Sequence, residues 1–494
     1  MFEDRVTPLF EPDELTTSGE LARRLIAAGQ SPTAARQQLA RAARRQLLWR
    51  SSSLQLPHRE RLCASKQAVG TIPFLRQLEE QLREKRPGIS RVLTALRHHQ
   101  VLLAPEAKKL LANRGEAEYD RDRRALKEVG VICWNEGTSL ERFALSIVEN
   151  SGALAQHRYQ QLLSDVQIAR AVMEMLARQA FVSWDGANYS DGPSLPAAFT
   201  GYPFSAYGWS WLAPLLSWSN KKPQPAPLLL DVYSGECNLF DVEGFRSRLA
   251  RVNAISRKGS PLVGAIAARR FDKAAFAAAR NAGLMVINLR TVFGESALRL
   301  MSQVATLLDQ LAFGTADESI LERSVDGLSN SLEELHVHPF VTELRSLGFE
   351  TLSALLTRGN GWEDVRVGIS VPFQKTSRDI DVSGMRDGGR SAILIECKAH
   401  RSDKPLSVAA LRKFFHETVP AFMSKRQDEG WPIEHCNAEM WTTSEMTAEA
   451  RSALSEIKLN HRVVPAIRDV AEIERSIPQS MEPCRRLLRT ISAS

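Results

Sequence analysis

The N-terminal part of the chain, residues 15 to 145, alternates amphipathic helical patterns with short extended stretches. Thr17 or Ser18 is suited to cap a first helix, and Pro32 takes the first position of a second one. An extended stretch, "LLWRSSSLQL", follows. The second helix is rich in basic residues, namely Arg36, Arg41, Arg44 and Arg45. Helix, turn, basic helix and strand in this order predict a winged helix-turn-helix, whose second helix enters the major groove of DNA.

The same pattern recurs further along the chain. "SPTAARQQLARAARRQLL" aligns with "RPGISRVLTALRHHQVLL", which places Arg91 in the position of Arg36. We therefore predict two tandem winged helices, over residues 1–65 and 66–150, with Arg91 as a further candidate DNA contact. A bundle of purely structural amphipathic helices is the alternative.

Two α/β units are predicted downstream, so the expected fold class is multidomain α/β. In residues 151–315 the strand "APLLLDVYSG" is followed by helix, strand, helix and strand, and residues 330–494 repeat this order. Residues 311–330 are polar and are expected to link the two units. In the second unit "EDVRVGISVPF" and "RDIDVSG" precede "SAILIECKAH", and Asp387-Gly388 is suited to a tight hairpin turn.

Charged side chains follow the apolar run "ILI" in the second α/β unit. Because alternate residues of a strand share a face, Glu396 and Lys398 point the same way. A hairpin brings Asp381 alongside Glu396, and two converging carboxylates favour a divalent cation between them. Oxygen ligands suit Mg²⁺ or Mn²⁺, and a nearby lysine can orient a water and stabilise charge on a phosphate. The pattern predicts a metal-dependent nuclease centre.

This constellation resembles the PD-(D/E)XK nuclease superfamily, with Asp381, Glu396 and Lys398 as its signature. "GFETLSALL" and "WTTSEMTAEARSAL" are similar to the Mrr-like branch of restriction endonucleases, whose members also carry an N-terminal winged helix. The resemblance covers about residues 340 to 475. It implies a restriction-endonuclease-like C-terminal domain in which Glu350 joins Asp381 and Glu396 as metal ligands and catalytic residues, with Lys398 as the fourth catalytic residue. The chain departs from this branch at Glu396, where Mrr itself tends to have Gln, and in lacking a Gly before Asp381.

A second acidic residue competes with Glu350 for the helix position near the metal. Glu343 lies seven residues earlier and shares a helical face with Glu350 if one helix covers both. Gly348 lies between them and favours a break, so Glu350 is the preferred candidate.

The first α/β unit is interpreted as a degenerate relative of the second. "LLLDVYSG" parallels "ILIECKAH", but Tyr233 stands where Lys398 would be. We therefore expect residues 151–315 to form a nuclease-like domain that cannot cut, and that serves DNA binding, dimerisation or contact with a partner protein.

Composition adds modest constraints. The net charge of +7 favours a polyanionic partner. The six cysteines are scattered without a C-x-x-C pair, which indicates neither a zinc site nor a disulfide framework and suits a reducing cytosol. The acidic start "MFEDRVTPLFEPDE" lacks a signal-peptide pattern, and the longest uncharged run is broken by Pro and Gly, so a cytoplasmic protein without membrane contact is expected.

Taken together, these patterns predict an Mg²⁺- or Mn²⁺-dependent endonuclease that acts on double-stranded DNA, in restriction or antiviral defence. One competent site per chain implies a homodimer or a partner defence protein for cutting both strands. Two alternatives stay open. One is a DNA-binding regulator with an inactive site; the other is a nuclease subunit of a larger defence or repair complex, silent without its partner, since no P-loop motif is present.

Overall fold

The computed structural model of the chain describes residues 14–56, 60–134, 141–145, 148, 151–183, 187–190, 196–212, 215–219, 222–256, 261–313, 318–335, 341–373, 376–399, 406–431, 433–444, 446–457, 459–479 and 481–492. These residues form a multidomain α/β protein with several sheets. Within these ranges, no helix combines the length and the apolar character needed to cross a membrane.

Two small units with three-stranded sheets come first. The first contains β1 (Leu15–Thr17), α1 (Ser18–Ala27), α2 (Pro32–Arg44), β2 (Trp49–Gln55) and β3 (Arg61–Ala64). The second contains α3 (Ile72–Lys85), α4 (Pro87–His99), β4 (Val101–Leu103), α5 (Ala104–Leu111), α6 (Glu116–Glu128), β5 (Val131–Trp134) and β6 (Arg142–Leu145). As predicted, the Thr17 hydroxyl caps α1 by accepting from the Glu20 backbone N–H at 3.2 Å, and Ser31 caps α2.

The two small units share one topology, but not in the predicted register. Both run strand, helix, helix, strand, strand, and their sheets have the orders β1–β3–β2 and β4–β6–β5. The counterpart of α2 is therefore α6, whereas α4 precedes the first strand of the second unit. The sequence alignment of α2 with α4 matched two amphipathic helices that have different places in the fold.

The middle unit is built around a five-stranded sheet. Its elements are α7 (Ser151–Arg178), β7 (Asn188–Tyr189), β8 (Ala197–Phe199), β9 (Tyr202–Phe204), β10 (Ala206–Ser210), β11 (Ser217–Ser219), β12 (Lys222–Gln224), β13 (Ala226–Cys237), α8 (Leu239–Ile255), β14 (Val263–Phe271), α9 (Lys273–Asn281), β15 (Met285–Asn288) and α10 (Leu289–Phe313). The backbone of α10 is interrupted at Gly294, whose φ is 74°.

The C-terminal unit contains α11 (Glu318–Glu334), α12 (Val341–Gly359), β16 (Glu363–Phe373), β17 (Thr376–Arg386), β18 (Ser391–Lys398), α13 (Val408–Lys413), a π-helical turn (Phe414–Thr418), α14 (Val419–Asp428), β19 (His435–Thr442), α15 (Ala448–Glu456), β20 (Val463–Arg468), α16 (Val470–Ser476) and α17 (Glu482–Ser492). The hairpin between β17 and β18 turns at Asp387 and Gly388, whose φ values are 57° and 64°. This is the turn that the sequence predicts.

The sheets of the two larger units have the same strand order and orientation. The middle sheet runs β7–β10–β13–β14–β15 and the C-terminal sheet β16–β17–β18–β19–β20. In each, the first three strands are antiparallel and the last three are parallel. The parallel pairs are joined through helices, α8 and α9 in the middle unit, and the α13–α14 segment and α15 in the C-terminal unit.

The expected linker between the larger units is largely helical. Residues 318–334 form α11, which packs against α10 and α17. Val325, Leu328 and Leu332 are buried apolar residues of this helix. Their spacing of three and four places them on one helical face, so the segment contributes to the core despite its polar composition.

One apolar core joins the two larger units. Val172 of α7, Phe293 of α10, Phe349 of α12 and Ile395 of β18 belong to the same buried cluster. Leu394, the neighbour of Ile395, lies in a different cluster on the other face of the C-terminal sheet. Strand β18 is therefore buried on both faces, as the run "ILI" predicts.

Candidate active site

The register of β17 and β18 brings Asp381 beside Glu396. Val382 pairs with Ile395, so the next position along each strand places Asp381 opposite Glu396. The carboxylate of Asp381 accepts a hydrogen bond of 2.6 Å from the backbone N–H of Cys397. This bond fixes the Asp381 side chain at the point where the two strands separate.

Lys398 lies on the same face of β18 as Glu396 and pairs with it. The distance between Lys398 Nζ and Glu396 Oε1 is 2.5 Å. The side chains are 25% and 17% exposed, respectively, so the pair is partly shielded yet open to a ligand. A charged pair that keeps some contact with solvent at the end of a buried strand is accessible to a polar ligand.

Charge crowding perturbs the acid–base behaviour of this cluster. Burial and the charge of Glu396 raise the pKa of Asp381 to about 7. Burial and the charge of Asp381 raise the pKa of Glu350 well above its usual value. Burial acts to lower the pKa of Lys398, but Glu396 and Asp381 outweigh it and raise the pKa, so the ammonium stays charged at neutral pH.

Helix α12 supplies Glu350 and is not broken where the sequence suggests. It runs from Val341 to Gly359, so Glu343 and Glu350 belong to one continuous helix. Gly348 is accommodated inside it because α11 and α17 pack closely there; a β-carbon at this position would lie 3.0 Å from a methyl carbon of Leu332. The predicted break at Gly348 is therefore wrong, while the electrostatic coupling of Glu350 to Asp381 supports the preference for Glu350.

The donor set fits a hard divalent cation. Asp381 and Glu396 offer carboxylate oxygens whose mutual repulsion a cation would relieve, with Glu350 behind them. Among the residues described, no three His, Cys, Asp or Glu side chains form a complete metal site. Mg²⁺ does not require one, because it is commonly bound by one or two carboxylates together with water and substrate phosphate.

Two residues of the middle unit reach this cluster and were missed by the sequence analysis. Arg170 of α7 donates a hydrogen bond to the Gly368 carbonyl of β16. The positive charge of Arg170 acts against the raised pKa of Glu350, whereas the negative charge of Glu174 adds to it. Gly368 has a φ of 66°, and a β-carbon there would collide with Arg170. No local pattern signals this contact, since Arg170 and Gly368 are 198 positions apart.

The basic residues predicted to contact DNA have different environments. Those of α2 and the residue that follows it are all exposed, namely Arg36, Arg41, Arg44 and Arg45. Arg91 of α4 is only 7% exposed, and its Nε donates to the Leu110 carbonyl at 2.8 Å. Burial lowers the pKa of Arg91 to about 10. Contrary to the prediction, Arg91 is not available to a DNA phosphate, because it holds α4 against α5.

The middle unit has a buried ion cluster where the C-terminal unit has its candidate site. Asp231 of β13 is fully buried, and its carboxylate pairs with Arg248 at 2.5 Å and Lys109 at 3.5 Å. Ser205 stands opposite Asp231, as Asp381 stands opposite Glu396. Burial acts to raise the pKa of Asp231, but Arg248 and Lys109 outweigh it and lower the pKa. A carboxylate already neutralised by two cations is a poor ligand for a third.

Arg248 could have been found from the sequence. It lies on the apolar face of α8, three positions after Phe245 and four before Val252, both of which are fully buried. An arginine on such a face requires a buried anion. Lys109 could not have been found in this way, since α5 comes from the second small unit.

Asp241 gives a pH-dependent prediction. Burial raises its pKa to about 7, although it accepts a 2.9 Å hydrogen bond from the Asn238 backbone N–H. Because Asp241 ionises near pH 4 when unfolded, it stabilises the folded state less and less as the pH rises from about 4 through 7, by about 4 kcal/mol at most. Asp241→Asn keeps the acceptor, so its melting temperature should exceed that of wild type by more at pH 8 than at pH 5, the two differences themselves differing by at least about 2 °C.

Differential scanning fluorimetry at the two pH values provides the measurement. Asp428→Asn, at the end of α14, is a control, because the side chain of Asp428 is exposed to solvent. Equal differences between Asp241→Asn and wild type at both pH values would contradict the prediction.

Comparisons of the chain with protein-family models, with curated proteins and with solved structures found no match.

Proposed function

We propose that the chain is an Mg²⁺- or Mn²⁺-dependent endonuclease that hydrolyses phosphodiester bonds in double-stranded DNA. The observation that carries this proposal is the gathering of Asp381, Glu396 and Lys398 at one end of the β17–β18 pair, beside Glu350. The C-terminal unit, residues 330–494, would be a PD-(D/E)XK domain of the Mrr-like kind. The central strand β18 supports this assignment, because it is buried on both faces and ends with the charged residues Glu396 and Lys398.

Each polar group of the site has a distinct role in this proposal. Asp381 and Glu396 would hold the cation, with Glu350 contributing charge from α12. When bound, the cation would polarise the scissile P–O bond and neutralise negative charge. Lys398 is held as an ammonium ion, so it donates hydrogen bonds to the attacking water or to a phosphate oxygen and does not act as the base. Arg170 of the middle unit would favour the ionised form of Glu350, because its positive charge acts to lower the pKa of that carboxyl group.

The small N-terminal units, residues 1–65 and 66–150, would be tandem winged helices. Their shared strand–helix–helix–strand–strand order and sheet order support this assignment. In the first unit α2 would be the recognition helix, and its exposed arginines would contact phosphates. The equivalent helix of the second unit, α6, carries both acidic and basic residues, which favours a positioning role for that unit.

The middle unit, residues 151–315, would be a nuclease-like domain without catalytic activity. It has the strand order of the C-terminal sheet, but Ser205 and Tyr233 replace two groups of the candidate site, and Lys109 and Arg248 neutralise its remaining carboxylate. One competent site per chain then requires a homodimer or a partner protein to cut both strands. A role in cytoplasmic restriction or antiviral defence is part of the same proposal.

DNA cleavage in the presence of Mg²⁺ or Mn²⁺ tests the proposal. Supercoiled and linear duplex DNA should both be cut, and EDTA should stop the reaction. Binding of duplex DNA without cleavage, with either cation and at any protein concentration, would contradict it and favour a regulatory DNA-binding subunit.

The exposed arginines of α2 give a second prediction about DNA. Changing Arg36 and Arg44 to alanine should weaken binding to all duplex sequences alike, because phosphate contacts carry no sequence information. The dependence of log affinity on log salt should become shallower by about one for each phosphate that the variant no longer neutralises. This slope is measured by fluorescence anisotropy with labelled duplex DNA at salt concentrations from about 50 to about 200 mM, the range over which phosphate contacts change the affinity strongly.

Arg23→Ala is the matched control, since Arg23 is exposed on α1 and pairs with Glu20 at 2.9 Å. An unchanged salt dependence in the Arg36/Arg44 variant would exclude α2 from the DNA interface.

A further inference from the structure

A cavity of about 900 Å³ lies between the second small unit and the middle unit, at the carboxyl end of β13. It is enclosed by the end of α4 and by α5, by α7, by the start of α8 and by α10. In sheets with parallel strands this edge is where ligands generally bind. The volume lies within the range of small-molecule sites, which is about 300 to 1,000 Å³.

One side of the cavity is aromatic. The ring centroid of Phe240 lies 5.9 Å from that of His98 and 5.6 Å from that of His99, and the two histidine rings are 4.7 Å apart. Burial and the charge of Arg158 lower the pKa of His99 to about 3, so its imidazole is neutral. All of these rings, with Tyr233, line the cavity; Phe240 is only 7% exposed, so it backs the exposed imidazole of His98, on which a planar heterocycle can pack.

The other side of the cavity is basic. Arg269, Arg270 and Arg290 line it, and all three are exposed to solvent. Arg269 and Arg290 share the single carboxylate of Glu295. Arg270 forms no ion pair in the part of the chain that the structure describes, and Glu236, which also lines the cavity, stands opposite it on β13. Three guanidinium groups beside the two carboxylates of Glu295 and Glu236 leave one positive charge for an anion, and the planar fork of arginine suits phosphate.

The ion cluster at Asp231 argues against a metal as the occupant. Arg248 and Lys109 already neutralise this carboxylate, and a Ser205 hydroxyl accepts from Lys109 at 2.8 Å. Arg158 adds a buried Nε that finds no acceptor within the described ranges. The carboxylates of Glu106, Asp165 and Asp241 also line the cavity, but Arg158 pairs with Glu106, and the backbone N–H groups of Ser234 and Asn238 donate to Asp165 and Asp241. The cavity thus offers donors and aromatic surface beside carboxylates that already have partners.

We propose that this cavity binds a nucleotide, with the phosphate on Arg269, Arg270 and Arg290 and the base against His98 and Phe240. The shared chemistry is a phosphate ester that carries a base, either as a free nucleotide or as the 5′-phosphorylated end of a nucleic-acid strand. This inference goes beyond the proposed endonuclease function and does not rest on it, because the cavity lies outside the unit that contains Asp381, Glu396 and Lys398.

Isothermal titration calorimetry of the full chain, in EDTA, tests the proposal. The probes are ATP, a 5′-phosphorylated dinucleotide, the same dinucleotide without its phosphate, and adenosine. A phosphorylated probe should bind with a stoichiometry of one per chain, and its unphosphorylated counterpart at least tenfold more weakly. Binding of ATP identifies a free nucleotide as the source, whereas binding of the phosphorylated dinucleotide alone identifies a strand end.

Variants locate the binding event in the cavity. Arg270→Glu should lower the affinity at least tenfold, since it replaces an attractive charge by a repulsive one. His98→Ala should lower it about five- to tenfold, as expected for loss of base stacking. Arg246→Glu, an exposed residue of α8 that does not line the cavity, should bind as wild type does.

The absence of binding by both phosphorylated probes would overturn the proposal. So would an Arg270→Glu variant that binds with wild-type affinity. Folding of each variant is checked by its melting temperature, and both substituted side chains are exposed, so they should leave it unchanged.

Discussion

Replacing Lys398 by alanine is expected to lower the rate of DNA cleavage by about 10²- to 10³-fold. The reason is the loss of a fixed ammonium group beside the carboxylates that would hold the cation; Lys398 Nζ lies 2.5 Å from Glu396 Oε1. Asp381→Asn should have an effect at least as large, because it removes the negative charge that draws the cation to the point where β17 and β18 separate. Single-turnover cleavage with saturating Mg²⁺ measures both.

The controls for this prediction separate chemistry from binding and folding. Both variants should bind duplex DNA as wild type does, because the DNA-binding arginines belong to a different unit. Lys413→Ala removes an exposed lysine of α13 in the same unit and should leave the cleavage rate unchanged. A Lys398→Ala enzyme that cuts at the wild-type rate would place the active site elsewhere.

Replacing Arg248 by methionine is expected to destabilise the middle unit by about 3 to 5 kcal/mol. Arg248 and Asp231 are both 0% exposed, and they pair at 2.5 Å. Without the guanidinium, the Asp231 carboxylate keeps only Lys109 at 3.5 Å, and burying a poorly compensated charge is costly. Hydrogen exchange of the β13 amides gives the free energy of opening directly.

A double substitution shows whether the stability lost in Arg248→Met comes from the unpaired charge of Asp231. Asp231→Leu combined with Arg248→Met removes both charges and should recover much of the stability, since an apolar pair of similar volume often replaces a buried ion pair at little cost. Arg246→Met, on the exposed face of the same helix, should change stability by no more than about 0.5 kcal/mol. Equal destabilisation by Arg246→Met and Arg248→Met would contradict the argument.

Local patterns in the sequence predicted the alternating strands and helices at the centre of each of the two larger units. The alternation of apolar strands with amphipathic helices located β13, α8, β14 and α9 close to their observed bounds. The hairpin at Asp387 was predictable because few residues accept a positive φ. These features depend on neighbours within a few positions, which a single sequence displays directly.

The sequence-based predictions were wrong where similar local patterns occupy different positions in the tertiary structure. The α2 and α4 segments look alike, so the sequence paired Arg36 with Arg91, yet one is exposed and the other is buried against α5. Gly348 was expected to break a helix that packing keeps continuous. The polar composition of residues 311–330 concealed an apolar face on α11 that becomes buried only against α10 and α17.

By itself the sequence determined the candidate site on β17 and β18, because strand alternation and a hairpin are enough to bring Asp381, Glu396 and Lys398 together. It also determined the basic face of α2. Only the tertiary structure decided that α7 of the middle unit reaches this site, that Lys109 and Arg248 neutralise Asp231, and that a cavity with aromatic and arginine-rich sides opens beside them. The physical reason is distance along the chain: these contacts join residues from separate units, and no periodicity in a sequence encodes which buried charge meets which partner.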